Sequence, residues 1–104
     1  MQIHREGDPM EFLVEFKLNV PKGTPDSEVK KRYVAEAAAS AELVGKGHLV
    51  RLWRPPVAPG ERKALGLYRA DSRAQLEALL AALPLNSWMQ ITVTALEPHP
   101  NDPA

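Results

Sequence analysis

Glu36 and Arg54 carry opposite charges, and the pattern around each predicts that both face the inside of the protein. Arg54 ends the short apolar stretch 48–54, which Pro55 terminates and which is typical of a buried strand. Alternate residues of a strand share one face, so Leu52 and Arg54 are predicted to point together toward the core. A guanidinium there needs water or a partner, because burying an unpaired charge is costly. That partner is a carboxylate of the protein or of a ligand.

Glu36 is positioned by the first predicted helix. Thr24 offers a hydroxyl as its N-cap, and Pro25 suits the first helical position. Its apolar stripe, with Glu36 on the edge, is predicted to consist of Val29, Tyr33, Ala37, Ala41 and Val44. Glu36 and Arg54 are therefore predicted to line one cleft between this helix and the sheet.

The remaining elements complete a repeated strand-helix-strand pattern. They are a strand at 10–20, a strand at 63–68, a helix that begins at Asp71 or Ser72 and ends before Pro84, and a strand at 88–96. The order strand, helix, strand, strand, helix, strand predicts an α+β ferredoxin-like βαββαβ domain. It has a four-stranded antiparallel sheet with both helices on one face.

The sheet face turned away from the helices is predicted to be too apolar for solvent. Alternation places Leu13, Trp53 and Trp88 on that face, with Leu49 as a further candidate. Two tryptophans on an open face form a patch that usually marks an interaction site. We therefore predict that a second subunit covers it and that the protein is a homo-oligomer.

The length of 104 residues suits a single domain. We interpret residues 1–9 as a flexible leader, 10–97 as the ferredoxin-like domain and 98–104 as a C-terminal tail. The start of the chain lacks the apolar segment of a signal peptide, so a cytoplasmic location is expected.

Composition argues against several classes of partner. Thirteen basic and thirteen acidic residues cancel, which leaves no electrostatic footprint for nucleic acid. No apolar stretch approaches the roughly 20 residues of a membrane span. There is no cysteine, and the three histidines lack ligand spacing, so no metal site is expected.

Several short motifs occur together in the chain: Glu36 in the first helix, Gly47, Leu52-Trp53-Arg54, Leu83-Pro84-Leu85, Trp88-Met89 and His99-Pro100. This combination resembles the muconolactone isomerase family over nearly all of residues 10–102. The resemblance implies a ferredoxin-like fold of the dimeric α/β-barrel class, built into homo-oligomers as large as a decamer. It also implies that no cofactor is needed. The chain differs from the family in a longer, proline-rich loop at 55–62, at Ala64 and at Asn86-Ser87.

The resemblance implies a specific chemistry. The family isomerises muconolactone to the 3-oxoadipate enol-lactone in aromatic catabolism. Moving a double bond within a lactone removes one proton and returns one at another carbon, so it needs a base that also acts as an acid. It also needs stabilisation of an enolate-like intermediate. By resemblance, Glu36 is the catalytic proton-transfer residue and Arg54 binds the free carboxylate of the substrate.

Four further residues are candidates for substrate binding. Tyr33, one turn before Glu36, either donates a hydrogen bond to a ligand or keeps its hydroxyl in water. Trp53 and Trp88 are aromatic candidates, with an interface or core position as the simpler interpretation of Trp53. His99 is a candidate to fold back over the mouth of the cleft.

Three alternatives stay open at this point. Glu36 and Arg54 can be an internal ion pair that fixes the helix against the sheet. The chain can be a different small-molecule enzyme on the same fold, such as a cofactor-free monooxygenase or a cyclase. It can also be a non-catalytic binding or assembly protein, in which case the two side chains should be paired with no cavity beside them.

Overall fold

The computed structural model describes residues 9–104, and its elements follow the predicted order. They are β1 (Met10–Leu18), α1 (Asp26–Gly45), β2 (Leu49–Trp53), β3 (Lys63–Ala70), α2 (Arg73–Ala81) and β4 (Met89–Leu96). The strands form one sheet in the order β2-β3-β1-β4, with every neighbouring pair antiparallel. The predicted ferredoxin-like α+β fold is confirmed. Within the described range, no helix is long and apolar enough to cross a membrane.

The core lies between the sheet and the two helices. Phe12 and Val14 of β1 are completely buried and pack with residues of both helices. Leu43 comes from α1, and Leu76 and Leu80 come from α2. Because both helices contribute to the same apolar cluster, they lie on the same face of the sheet.

The helix α1 is rotated relative to the predicted stripe. Two residues that are four positions apart on a helix differ in direction by about 40°. A stripe made of successive four-residue steps therefore rotates away from the core. The inward face alternates steps of four and three, and it consists of Val29, Tyr33, Glu36, Ser40 and Leu43. Val44 is instead 57% exposed. Glu36 therefore lies in the middle of the inward face and not on its edge.

The start of α1 also differs from the prediction. The helix begins at Asp26 with Pro25 as N-cap. The hydroxyl of Thr24 donates to the carbonyl oxygen of Pro21 at 2.6 Å, so it closes the preceding turn and does not cap the helix.

A bulge in β2 changes which of its residues share a face. Leu49 pairs with Tyr68 and Arg51 with Leu67, so Val50 is an extra residue in the ladder. Leu49 consequently turns to the helix side and is 4% exposed, which corrects its predicted place on the open face. Beyond the bulge the predicted alternation holds.

Trp88 is likewise on the other side of the sheet from its predicted place. It belongs to a short 3-10 helix, Asn86–Trp88, and not to β4, which begins at Met89. Its side chain is buried, and the Arg32 guanidinium stacks over it at 4.4 Å from the ring centroid. The predicted pair of tryptophans on the open face is therefore wrong, and Trp53 alone remains there.

The start of α2 follows the prediction. Ser72 is the N-cap, and its hydroxyl accepts a hydrogen bond from the Gln75 backbone N–H at 3.0 Å. The Gln75 side chain accepts one in return from the backbone N–H of Asp71. This reciprocal pair is a capping box shifted to include the preceding residue.

The chain ends were predicted as a leader and a tail. The predicted leader at 1–9 lies outside the described residues except for Pro9. Residues 97–104 are exposed, and a turn joins the Asp102 N–H to the His99 carbonyl at 2.9 Å.

Gly66 in β3 is required by the ring of Tyr68. A Cβ at position 66 would lie 2.5 Å from Cε1 of Tyr68, which is buried and cannot easily move aside. We expect Gly66→Ala to lower the free energy of unfolding by about 1–3 kcal/mol, as overpacking does. Urea unfolding of the single variant measures this loss. The same change made in a Tyr68→Ala background should cost much less, and an equal cost in both backgrounds would contradict the explanation.

Candidate active site

A cavity of about 810 Å³ lies between α1 and the helix-facing side of the sheet, close to the loop that joins β2 to β3. Its polar lining includes Tyr33, Glu36, Ser40, Arg54, Arg62 and Tyr68. The rest of the wall is largely apolar, with Phe16, Leu52 and Met89 among its members. A cavity of this size and character is typical of a site for a small molecule.

Glu36 is half-buried and held in a fixed position on the helix side of the cavity. Its Oε1 accepts a hydrogen bond from the backbone N–H of Leu85 at 2.9 Å. Leu85 follows Pro84 in the segment that joins α2 to β4. This hydrogen bond therefore links α1 to that segment. Within residues 9–104 no cation lies within ion-pair distance of the carboxylate.

Arg54 lies at the opposite edge of the same cavity. It directly follows β2 and precedes two prolines, and its side chain is exposed. The five ion pairs among residues 9–104 do not include it. The internal Glu36–Arg54 ion pair considered above is therefore not formed, and a cavity separates the residues that it would have joined.

Tyr33 and Arg62 meet at the rim of the cavity. A guanidinium N–H of Arg62 donates to the Tyr33 hydroxyl, and the guanidinium carbon lies 5.7 Å from the ring centroid. The Arg62 carbonyl oxygen accepts from the Leu18 N–H at 2.9 Å, which ties the end of the loop to β1. The end of the proline-rich loop is thereby joined to α1 beside the cavity.

Tyr68 lies on the sheet side of the cavity, on β3. Its pKa is raised to about 12, first by burial and then by the negative charge of Glu36. The phenol is therefore neutral, and able to donate a proton in a hydrogen bond, at any pH at which an enzyme normally works.

Three predicted site residues do not line this cavity. Trp53 lies on the open sheet face, where Arg51 stacks on it at 5.1 Å, and Trp88 is buried against α1. His99 lines a separate surface depression beside Glu11, and its Nδ1 accepts from the Asn101 N–H. The structure does not bring His99 to this cavity, and its place over the mouth stays a prediction.

Arg62 and Tyr68 are among the residues of the cavity that were missed in the sequence. Arg62 lies in an irregular loop, where periodicity carries no information about direction. Tyr68 was detectable in principle, because Ala64, Gly66 and Tyr68 alternate along one face of β3 and two small residues leave room for a large one. Among the described residues, no three His, Asp or Glu side chains are grouped so as to hold a metal ion.

Comparison with known proteins decides the family. The sequence profile of the muconolactone delta-isomerase family matches residues 10–102. The chain belongs to the muconolactone delta-isomerase family. Muconolactone delta-isomerase 1 of Acinetobacter lwoffii is 33% identical over 92 residues, which are 88% of this chain and 93% of that protein. The muconolactone delta-isomerase of Acinetobacter baylyi is 29% identical over the same shares of both chains.

The fold agrees with this assignment. A crystal structure of muconolactone isomerase superposes with a TM-score of 0.80, at 24% identity, over 91% of this chain and 96% of that one. The chain is thus a muconolactone isomerase-like enzyme of the isomerase class. The predicted family resemblance is confirmed.

Proposed function

We propose that the protein isomerises muconolactone to its enol-lactone, with Glu36 moving the proton and Arg54 holding the free carboxylate of the substrate. The observation that carries this proposal is the cavity itself. It brings a half-buried carboxylate, and a guanidinium with no ion-pair partner among residues 9–104, to one space without letting them neutralise each other. The proposal needs no metal and no organic cofactor.

The reaction proceeds in two proton transfers. The Glu36 carboxylate removes the proton from the ring carbon that bears the carboxymethyl group, and the C–H electron pair moves through the conjugated double bond to the carbonyl oxygen. The resulting dienolate takes the same proton back from Glu36 at the carbon next to the carbonyl, and the carbonyl double bond forms again. One carboxylate is enough for both steps.

The other polar groups have supporting roles in this proposal. Arg54 donates a charge-assisted, two-point hydrogen bond to the carboxymethyl group and so orients the ring. Tyr33 lies at the rim, where its hydroxyl is held by Arg62, and it contacts the substrate as the substrate enters. The N–H of Leu85 keeps the Glu36 carboxylate from rotating out of reach.

An assay of the purified protein with muconolactone tests the proposal. We expect the enol-lactone as the product, identified by proton NMR, with a kcat of about 1–1000 per second. The same protein without substrate, and substrate without protein, serve as the blanks. If no enol-lactone forms above the blank, muconolactone is not the substrate, and the wall that the longer loop adds to the cavity becomes the reason to screen other lactones.

We also propose that the protein is a homo-oligomer, a dimer or larger, that assembles through the open sheet face. Leu13 lies beside Leu67 on this face, and Trp53 lies beside Leu65. Trp53 is 40% exposed, although a tryptophan favours burial. These neighbours form a continuous apolar surface in the middle of the face.

Replacement of Trp53 with glutamate should dissociate this assembly. A charge buried in the contact is costly, so we expect the sedimentation coefficient to fall toward that of a smaller species. Val34→Glu is the matched control, because Val34 is 73% exposed on the outer side of α1. Dissociation by Val34→Glu with no effect of Trp53→Glu would place the interface on the helix.

A further inference from the structure

Tyr68 is the most buried of the polar side chains that line the cavity, at 2% exposed. Its ring lies over Gly66 and packs against Phe16, with the ring centroids 6.1 Å apart and the planes at 58°. These contacts fix the ring in one orientation. A side chain held in this way can present its hydroxyl group at a defined point.

The hydroxyl of Tyr68 opens into the cavity. It makes no hydrogen bond to any of residues 9–104. Every polar side-chain atom that is fully sealed from solvent in this part of the chain does have a partner. The Tyr68 hydroxyl is therefore accessible to solvent. Because Tyr68 lines the cavity, we take the cavity as the space in which this hydroxyl can donate its proton in a hydrogen bond.

We propose that Tyr68 is a further catalytic residue, which donates a hydrogen bond to the oxygen that becomes negative in the dienolate. This inference rests on the proposed function and names a residue for the step that Glu36 and Arg54 leave unsupported. When Glu36 takes up the proton it becomes neutral, and the electron pair of the broken C–H bond places a negative charge on the carbonyl oxygen. A donor already oriented toward that oxygen stabilises the intermediate more than it stabilises the neutral substrate.

The positions of the two groups match this division of work. Glu36 comes from α1 and Tyr68 comes from β3, so the base and the donor lie on different walls, with space for a flat lactone ring between them. The phenol stays protonated while Glu36 is charged, because burial and that same charge both disfavour a phenolate. The Tyr33 hydroxyl, by contrast, lies at the rim, where it accepts a hydrogen bond from Arg62.

The first test is the Tyr68→Phe variant in the muconolactone assay. We expect kcat to fall about 30-fold with KM nearly unchanged, as for the loss of one hydrogen bond to a charged group. Ser72→Ala is the control for removing a hydroxyl outside the cavity, and it should lower the melting temperature but leave kcat as in the parent. Gly66→Ala displaces the ring without removing the hydroxyl, so it should lower kcat even if Tyr68→Phe does not fold. An unchanged kcat in a folded Tyr68→Phe variant overturns the proposal.

The second test does not need turnover. Tetronate, a five-membered lactone whose enol is ionised at neutral pH, mimics the charged ring of the intermediate. We expect the parent to bind it about 30-fold more tightly than Tyr68→Phe does, measured by calorimetry. The parent protein can bind tetronate more tightly than Tyr68→Phe does and yet fail to turn over muconolactone. That result would reject muconolactone as the substrate and retain Tyr68 as the hydrogen-bond donor. Equal binding by both proteins, or none by the parent, rejects the donor.

Discussion

Replacing Glu36 with glutamine is expected to lower kcat on muconolactone about 1000-fold, within the range for loss of a general base. The amide oxygen of glutamine can still accept the hydrogen bond that the Leu85 N–H now donates to Oε1. The side chain should therefore keep its position, while the amide cannot take up the proton. Because the charge of Arg54 and the shape of the cavity are unchanged, KM should change little.

The matched control for this variant is Glu42→Gln on the same helix. The Glu42 carboxylate is solvent-exposed and pairs only with Lys46, at 2.9 Å, among the described residues. Lys46 holds the pKa of Glu42 below its usual value, by a hydrogen bond and by its charge. Steady-state rates of the two variants are compared with their melting temperatures. A loss of rate in Glu36→Gln without a loss of melting temperature is then an effect on catalysis and not on stability. A Glu36→Gln variant with full turnover would exclude Glu36 as the base.

The order of the elements was predictable because each carries its own local signal. Alternation marks β1, and the capping box at Ser72 and Gln75 marks the start of α2. These signals come from backbone hydrogen bonding and from burial within a few residues. The strand order then follows from the known ways of connecting such elements.

The errors arose where the direction of a side chain depends on a neighbouring strand or helix. The bulge at Val50 is a property of the pairing between β2 and β3, and it moved Leu49 from one face to the other. Trp88 was placed by extending the alternation of β4 one residue too far, into a 3-10 turn. A single residue of error in register reverses a face, so a prediction of faces is less secure than a prediction of elements.

The candidate site was predictable only in part for the same reason. Glu36 and Arg54 line one cavity as expected, because the faces of α1 and of the end of β2 were close to correct. Tyr68 and Arg62 also line this cavity, through contacts between distant parts of the chain. Gly66 leaves room for the ring of Tyr68, and the loop before β3 brings the Arg62 side chain to Tyr33. Such contacts depend on tertiary packing, and the local signal for them is limited to the alternation of Ala64, Gly66 and Tyr68 on one face of β3.

Arg54→Ala is expected to lower kcat/KM about 100-fold, mostly through a higher KM. Two parallel hydrogen bonds to a carboxylate would be lost, and each bond to a charged group is worth roughly 1.5–3 kcal/mol before exposure to solvent reduces it. The carboxymethyl group is remote from the proton transfers, so its binding energy is shared by substrate and transition state and appears in KM. Arg54→Lys should recover only part of the loss, since an ammonium group lacks the planar fork.

The choice of Arg54 over Arg62 as the anchor rests on which guanidinium has more of its N–H donors free. Arg62 already donates to Tyr33, whereas Arg54 has no ion-pair partner among residues 9–104. Arg62→Ala should therefore raise KM less than Arg54→Ala does. Arg73→Ala on α2, which removes only an exposed pair with Glu77, should leave KM unchanged. A larger effect from Arg62→Ala than from Arg54→Ala would assign the carboxylate to the loop, and the loop would then determine which acids the enzyme accepts.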